Sequence, residues 1–269
     1  MPGSFYNPIL LIVLYGITLL VTALGFRKVV YFVSIGYTFA IVGMGFFTFV
    51  IYYTHLTLLG TLHLAGLIYW GLRLGLFLVR RERLPGYQGE RERVRGSYPA
   101  GRLGVRAAIW VSVSLLYVLL FLPGLAGAAG NGGLAWQIPG AVVMFAGLWL
   151  ESTADQQKSA YKRQNPGAFC DIGLYRLVRC PNYLGEILFW TGSWLMAIPF
   201  YTDAFLWIGS LVGLVCLVLI MIGSTKRLEV TQGQRYGQDP AYQAYIRSVP
   251  VLFPFVPVYS LSKVRVYLE

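Results

Sequence analysis

Seven stretches of this chain are long and apolar enough to cross a bilayer as helices: roughly residues 8–26, 29–53, 56–79, 107–125, 135–153, 183–200 and 204–222. A membrane-crossing helix needs about 20 consecutive, mostly apolar residues. Composition agrees, with 57% hydrophobic residues, 12% charged residues and a mean hydropathy of +0.61. A soluble domain carries about twice that charged fraction. Intrinsic disorder, a disulfide scaffold and a collagen-like repeat are excluded on the same grounds. The expected fold is an all-α integral membrane protein with seven transmembrane helices. It forms a single membrane domain over 1–269, with a four-helix N-terminal part at 8–125 and a C-terminal part at 135–250. The first stretch is not expected to be a cleavable signal, because no Lys or Arg precedes it and the next apolar run follows at once.

The basic residues set the expected orientation. Lys and Arg number 22 against 11 Asp and Glu, for a formal net charge of +11. In a soluble protein that surplus would suggest nucleic acid. Here 21 of the 22 fall at 27–28, 80–106, 158–179 and 226–265, and the last, Arg73, lies inside the third stretch. The connections at 53–55, 125–136 and 201–203 contain none. Seven spans with the N-terminus outside and the C-terminus in the cytosol put every loop Lys and Arg on one side. Topology therefore accounts for the basic charge, and no nucleic-acid partner is expected.

Several chemistries find no support. Cys170, Cys180 and Cys216 form no metal or disulfide pattern. His55 and His63 have no acidic neighbour, so no metal is expected. There is no P-loop and no Ser nucleophile motif. The run Gly124-Leu-Ala-Gly-Ala-Ala-Gly130 follows an apolar helix, whereas a dinucleotide loop follows a strand. It reads as a flexible connection.

The candidate site lies on the basic side. Glu151, Asp155, Lys158 and Lys162 fall at i, i+4, i+7 and i+11, which places them on one face of a single helix continuing the fifth span. Acids occupy the membrane end and bases the outer end. Ionisable groups at membrane depth are costly and mark functional sites by default. A nucleotide fits that gradient, with phosphates at the basic end and a neutral ring held deeper by carboxylates. Next comes Gly173-Leu-Tyr175-Arg176-Leu-Val-Arg179-Cys180-Pro181-Asn182-Tyr183-Leu-Gly-Glu186. Pro181 suits the first position of a helix, whose free N–H groups, flanked by Arg176 and Arg179, favour an anion. Asn182 and Glu186, one turn apart, can together donate to and accept from a carboxamide or ribose hydroxyls. Farther on, Asp239-Pro240 starts a short helix whose Tyr242 and Tyr245 either close a lid or form an interfacial belt. The third span carries His63, Tyr69, Trp70 and Arg73. Arg73 can snorkel toward the cytosolic side.

These motifs, Asp155-x-Gln157-Lys158-x-x-Tyr161-Lys162 and Tyr175-Arg176-x-x-Arg179-Cys180-Pro181-Asn182-Tyr183-x-Gly185-Glu186, resemble the C-terminal domain of steroid 5-alpha-reductase-like membrane enzymes. Tyr69-Trp-Gly-Leu-Arg73-Leu followed by Arg80-Arg81 resembles the bacterial branch of that family. The likeness covers about residues 145–250, with weaker support at 66–81. Sterol reductases and isoprenylcysteine carboxyl methyltransferases share the shorter Arg-x-Pro-x-Tyr-x-Gly-Glu pattern. The resemblance implies a seven-helix reductase that binds NADPH from the cytosol and delivers hydride to an activated C=C bond. By position, Asp155, Lys162, Asn182 and Glu186 would hold the cofactor, with Glu229 near the family's C-terminal contact. Arg73, Glu151, Lys158, Tyr175, Arg176, Arg179, Tyr183 and Tyr242 complete the candidate cofactor shell. Tyr69 is the candidate proton donor. Two positions depart from the family: the second span contains no Gln, Glu or Asp, and Cys180 stands where His is usual.

The expected substrate is a steroid-like or other apolar lipid molecule entering from the membrane, on the side of the N-terminal part. Membrane lipids are the other expected partner, and no obligate protein partner is evident. The basic loop at 80–95 would cover the phosphates or bind anionic lipid heads. A bacterial inner membrane is expected rather than the endoplasmic reticulum. The alternative is a methyltransferase using S-adenosylmethionine, a cofactor without phosphates. The basic ends favour NADPH, whose phosphates need cations. A non-catalytic lipid-binding or transport protein is a third reading, though neither inverted repeats nor broken midplane helices are apparent.

Overall fold

A computed structural model describes residues 8–82, 103–130, 133–262 and 264. Every regular element among them is helical: Pro8–Thr22 (α1), Val30–Val33 (α2), Ile35–Tyr52 (α3), Leu58–Glu82 (α4), Leu103–Ala129 (α5), Leu134–Gln164 (α6), Pro181–Ala197 (α7), Ala204–Tyr236 (α8) and Pro240–Ser248 (α9). Single 3-10 turns lie at Ala23–Phe26, Gly173–Arg176 and Ile198–Phe200. The basic loop expected at 80–95 falls, beyond Glu82, outside the described residues, as do Lys263 and Arg265.

Among the described residues six helical stretches are long and apolar enough to cross a membrane: Pro8–Phe26, Ile35–Tyr52, Leu58–Glu82, Leu103–Ala129, Leu134–Gln164 and Ala204–Tyr236. The remaining expected span corresponds to α7, whose 17 residues rise about 26 Å at 1.5 Å each, short of a hydrocarbon core of about 30 Å.

The chain divides into two compact units, Met1–Ile138 with Met196–Gly213, and Pro139–Leu195 with Leu214–Glu269. In the first, α3 packs most extensively against α4, and α1 against α3 and α5. Leu14, Ile41, Met44, Leu67, Trp70 and Phe121 are fully buried there. The second apolar stretch is not one helix. It breaks at Ser34 (φ −122°, ψ −94°) between α2 and α3. In an apolar medium each freed backbone group needs an internal partner. Ser34 Oγ donates to the Val30 carbonyl at 2.7 Å, and Tyr117 Oη to that of Phe32 at 2.9 Å.

The run 124–129, expected as a flexible connection, is instead the buried last part of α5. Its small residues admit α4 closely. A Cβ on Gly124 would stand 2.6 Å from Leu67 Cδ1, and one on Gly127 3.0 Å from His63 Nδ1. Small-residue stripes of this kind hold membrane helices together through close packing, and that contact keeps a Gly-rich segment helical.

In the second unit α6 and α7 are pressed backbone to backbone. A Cβ on Gly147 would meet Phe189 N at 2.4 Å, one on Gly185 would meet Glu151 N at 2.5 Å, and one on Gly192 would meet Met144 N at 2.2 Å. The glycines at 140 and 147 on α6, and at 185 and 192 on α7, recur every seven residues, two turns apart, so each pair lies on one helix face.

Candidate functional site

The α6–α7 contact builds the site. Because Gly185 lies against the backbone of Glu151, Glu151 on α6 and Glu186 on α7 come to one level. Their exposures are 2% and 7%, and Asp155, one turn on from Glu151, is exposed by 7%. Asn182, one turn before Glu186, and Tyr183 are half-buried at the start of α7. The helix runs unbroken to Gln164, so the expected face of Glu151, Asp155, Lys158 and Lys162 is present. Carboxylates lie in the protected part and ammonium groups nearer the open end.

The segment between α6 and α7 closes over this face. Leu174 N–H donates to Gln157 Oε1 at 2.9 Å. Gly173 takes φ +56°, and a Cβ there would stand 2.4 Å from that same oxygen; only glycine meets both demands. Tyr175 is buried and its Oη donates to the Ala154 carbonyl at 3.4 Å. Burial first, and the Asp155 charge second, push its phenol well above the ordinary range. Burial likewise pushes the Cys180 thiol up to about 11, although Lys158 and Arg179 pull it the other way. The same Lys158 acts on Cys170, so its ammonium lies toward this segment. Arg176 is exposed, and its Nε donates to the Asp171 carbonyl at 3.4 Å.

Two further expected bases are engaged within the protein. Lys162 donates to the Ala168 carbonyl and, at 2.8 Å, to Tyr236 Oη. Arg179, 4% exposed, pairs with Glu229 at 3.7 Å and donates to the Tyr259 carbonyl. Glu229 also accepts from Leu261 N–H at 2.9 Å. Asp239 caps α9 by accepting from Ala241 N–H at 2.9 Å, with Pro240 in the first turn, as expected. Tyr242 is buried against Phe169, Tyr236 and Tyr245, with its phenol beside Arg179. Tyr245 Oη donates to the Tyr175 carbonyl at 2.7 Å. Both tyrosines are part of the packing that seats α9.

Tyr69 and Arg73 belong to the first unit and the other candidates to the second. Tyr69 is 59% exposed on the outer face of α4, next to fully buried Trp70; Arg73, one turn on, is half-buried. The first unit also carries an open cleft of about 360 Å³ lined by Leu119, Ala204, Phe205, Ile208, Gly209 and Val212, with no titratable group. The sequence reading missed Gln157, Tyr236 and the carbonyls of Ala168 and Tyr259 as supports. Gln157 stands within the quoted motif, but the others are marked by no local signal.

Fold and site together describe a multi-pass helical membrane protein whose second unit holds a cluster of buried carboxylates, Glu151, Asp155 and Glu186. The chain belongs to a family of proteins of unknown function, DUF1295, whose profile matches residues 19–249. It is also distantly related to steroid 5-alpha-reductases. It is 37% identical over 57 residues to the steroid 5-alpha-reductase DET2 of Gossypium hirsutum, covering 20% of this chain and 22% of that protein. It is 30% identical over 111 residues to the steroid 5-alpha-reductase DET2 of Arabidopsis thaliana, covering 36% of this chain and 41% of that protein. The chain thus spans about two-fifths or less of the length of these curated relatives. No solved structure matches it.

Proposed function

We propose that this chain is an NADPH-dependent membrane reductase that adds hydride to an activated C=C bond of a steroid-like or other apolar lipid substrate. The observation that carries this reading is the level shared by buried Glu151 and Glu186, with Asn182 one turn away at the start of α7. Two carboxylates and an amide suit a neutral carboxamide and ribose hydroxyls, and a buried carboxylate would repel phosphate. Half-buried Lys158, exposed Arg176 and the N-terminal amides of α7 would receive the phosphates. Asp155, Tyr175 and Tyr183 would line the cofactor site. Lys162, Arg179, Glu229 and Tyr242 would frame its outer wall, since their contacts already lock α8, α9 and the C-terminal segment in place. The donor set therefore fits a phosphorylated nucleotide.

NADPH, when bound, would supply hydride to the β-carbon of the enone. A hydrogen-bond donor at the carbonyl oxygen would stabilise the charge that develops there. Tyr69, exposed on α4, would fill that role, and Arg73, one turn on, would be a further cofactor contact. The full topology would be seven spans, with α7 extended by the turn Ile198–Phe200, the N-terminus outside and the C-terminus in the cytosol. The Tyr69–Arg73 motif favours a bacterial inner membrane.

The test is thermal stability of the detergent-purified chain titrated with NADPH, NADH and S-adenosylmethionine, because binding to the native state alone raises apparent stability. Stabilisation by NADPH, lost in Glu186→Gln while the variant stays folded, is the expected result. Wild-type NADPH affinity in that variant would remove Glu186 from the site. Stabilisation by S-adenosylmethionine alone would replace the reductase by a methyltransferase.

A further inference from the structure

Residues 249–262 follow α9 and return to the start of α7. Arg179 N–H donates to the Pro250 carbonyl at 2.9 Å and Cys180 N–H to that of Val251 at 3.1 Å. The Arg179 side chain holds the Tyr259 carbonyl, and Glu229 holds Leu261 N–H. Between these anchors Val251 N–H donates to the Val258 carbonyl at 2.9 Å, closing a turn. Its base is buried, with Val251 and Leu252 among the core residues, but the rest faces outward. Phe253, Val256, Val258 and Tyr259 are exposed, and Phe255 at the tip is 100% exposed. Phe255 also takes φ +66°, a backbone region unfavourable for any residue with a Cβ. A fully solvated phenylalanine held in a strained turn gains nothing from water.

We infer that this turn is a membrane-interface anchor: the side chains of Phe253, Phe255 and Val256 insert at the headgroup–acyl boundary of the bilayer that the apolar helices cross. Three further observations select the bilayer over another protein. From 240 to 268 the sequence contains no Asp or Glu, while Arg247 precedes the turn and Lys263 and Arg265 follow it; bases flanking an apolar insert meet anionic headgroups. Tyr259 at the rim is the amphipathic type enriched at that depth. Third, the reach matches. The apolar run of α8 ends at Gly223, and Glu229, which grips the base of the segment, stands six residues beyond it, about 9 Å along the helix. The turn that it anchors therefore starts within about two helical turns of the apolar edge. Contiguous exposed apolar surface of this kind marks protein or membrane contact, and the charge pattern decides between them. This inference is independent of which cofactor the chain takes.

The test uses the full chain in proteoliposomes containing anionic lipid, with p-benzoyl-phenylalanine replacing Phe255 and, separately, exposed Gln234 of α8. Illumination is expected to give lipid adducts at 255 and none at 234. Adducts to a second protein chain at 255, or no adducts at all, would overturn the inference. A nitroxide on Phe255→Cys, in a Cys216→Ala background, gives an independent reading. Its accessibility ratio of oxygen to a water-soluble nickel complex should be several-fold above that of Gln234→Cys. Equal ratios, or shielding from both reagents, would refute insertion.

Discussion

Replacing Gly185 by Ala tests the central packing argument directly. The added Cβ would stand 2.5 Å from Glu151 N, 2.8 Å from Glu151 Cβ and 2.8 Å from the Gly147 carbonyl oxygen. Carbon contacts are favourable at about 3.5–4.0 Å, so α6 and α7 must separate locally by roughly 1 Å. All three neighbours are backbone atoms or a Cβ, and none can rotate away. Overpacking of this kind costs about 1–3 kcal/mol, and the rigid neighbours put it at the upper end. Alanine recovers about 1 kcal/mol of helix propensity, leaving a net loss of about 2 kcal/mol. For a chain of this size that is about 4–8 °C in melting temperature. The control is Gly233→Ala on α8, where an added Cβ meets nothing within 4 Å; it should gain up to about 1 kcal/mol. Because the separation also parts Glu151 from Glu186, NADPH stabilisation should fall in Gly185→Ala and persist in Gly233→Ala. Thermal unfolding with and without NADPH reads both effects. Coincident melting of the two variants would refute the claim that backbone contact at Gly185 sets the site.

Three other outcomes are expected. Tyr69→Phe should lower turnover at least about tenfold, as for loss of a positioned proton donor, with cofactor affinity unchanged; normal turnover would move the donor elsewhere. Glu229→Gln leaves the buried Arg179 without its carboxylate, which should cost about 2 kcal/mol or more and speed proteolysis within 249–262, and unchanged cleavage would show that the pair does not hold that segment. The Cys180 thiol, raised from 9.0 to about 11, keeps its proton in the fold at pH values where the unfolded chain has lost it. Stability should therefore be unaffected below pH 9 and fall between pH 9 and 11, by about 3 kcal/mol at full effect. Cys180→Ala should flatten part of that alkaline decline, and identical pH profiles would remove Cys180 as a cause.

The course of the chain shows why some of this was legible beforehand. Hydropathy and the 3.6-residue period act over neighbouring residues, so the apolar helices, the run of α6 through Lys162, and the Asp239-Pro240 helix start can all be read from the sequence. The acid-to-base gradient on α6 is a consequence of that same period. Two local readings failed for opposite reasons. Ser34 sits inside an apolar stretch that looks continuous, yet its hydroxyl and that of Tyr117 satisfy a broken backbone. The Gly-rich run 124–129 looks flexible, yet α4 packs closely enough to keep it helical.

The sequence by itself determined the class of this protein, a helical chain with its charges gathered at loop ends and a polar cluster where the fifth and sixth apolar stretches approach. Only the tertiary structure decided which charges meet. Lys162, Arg176 and Arg179 look equivalent in the chain, but Arg179 is turned inward to Glu229 and to a carbonyl 80 positions away. Lys162 is held by Tyr236, 74 positions away, and Arg176 stays outside. Burial makes that choice. A cation removed from water must find a carboxylate or carbonyl within bonding distance, and the residue that supplies it is set by how the helices pack, not by spacing along the chain.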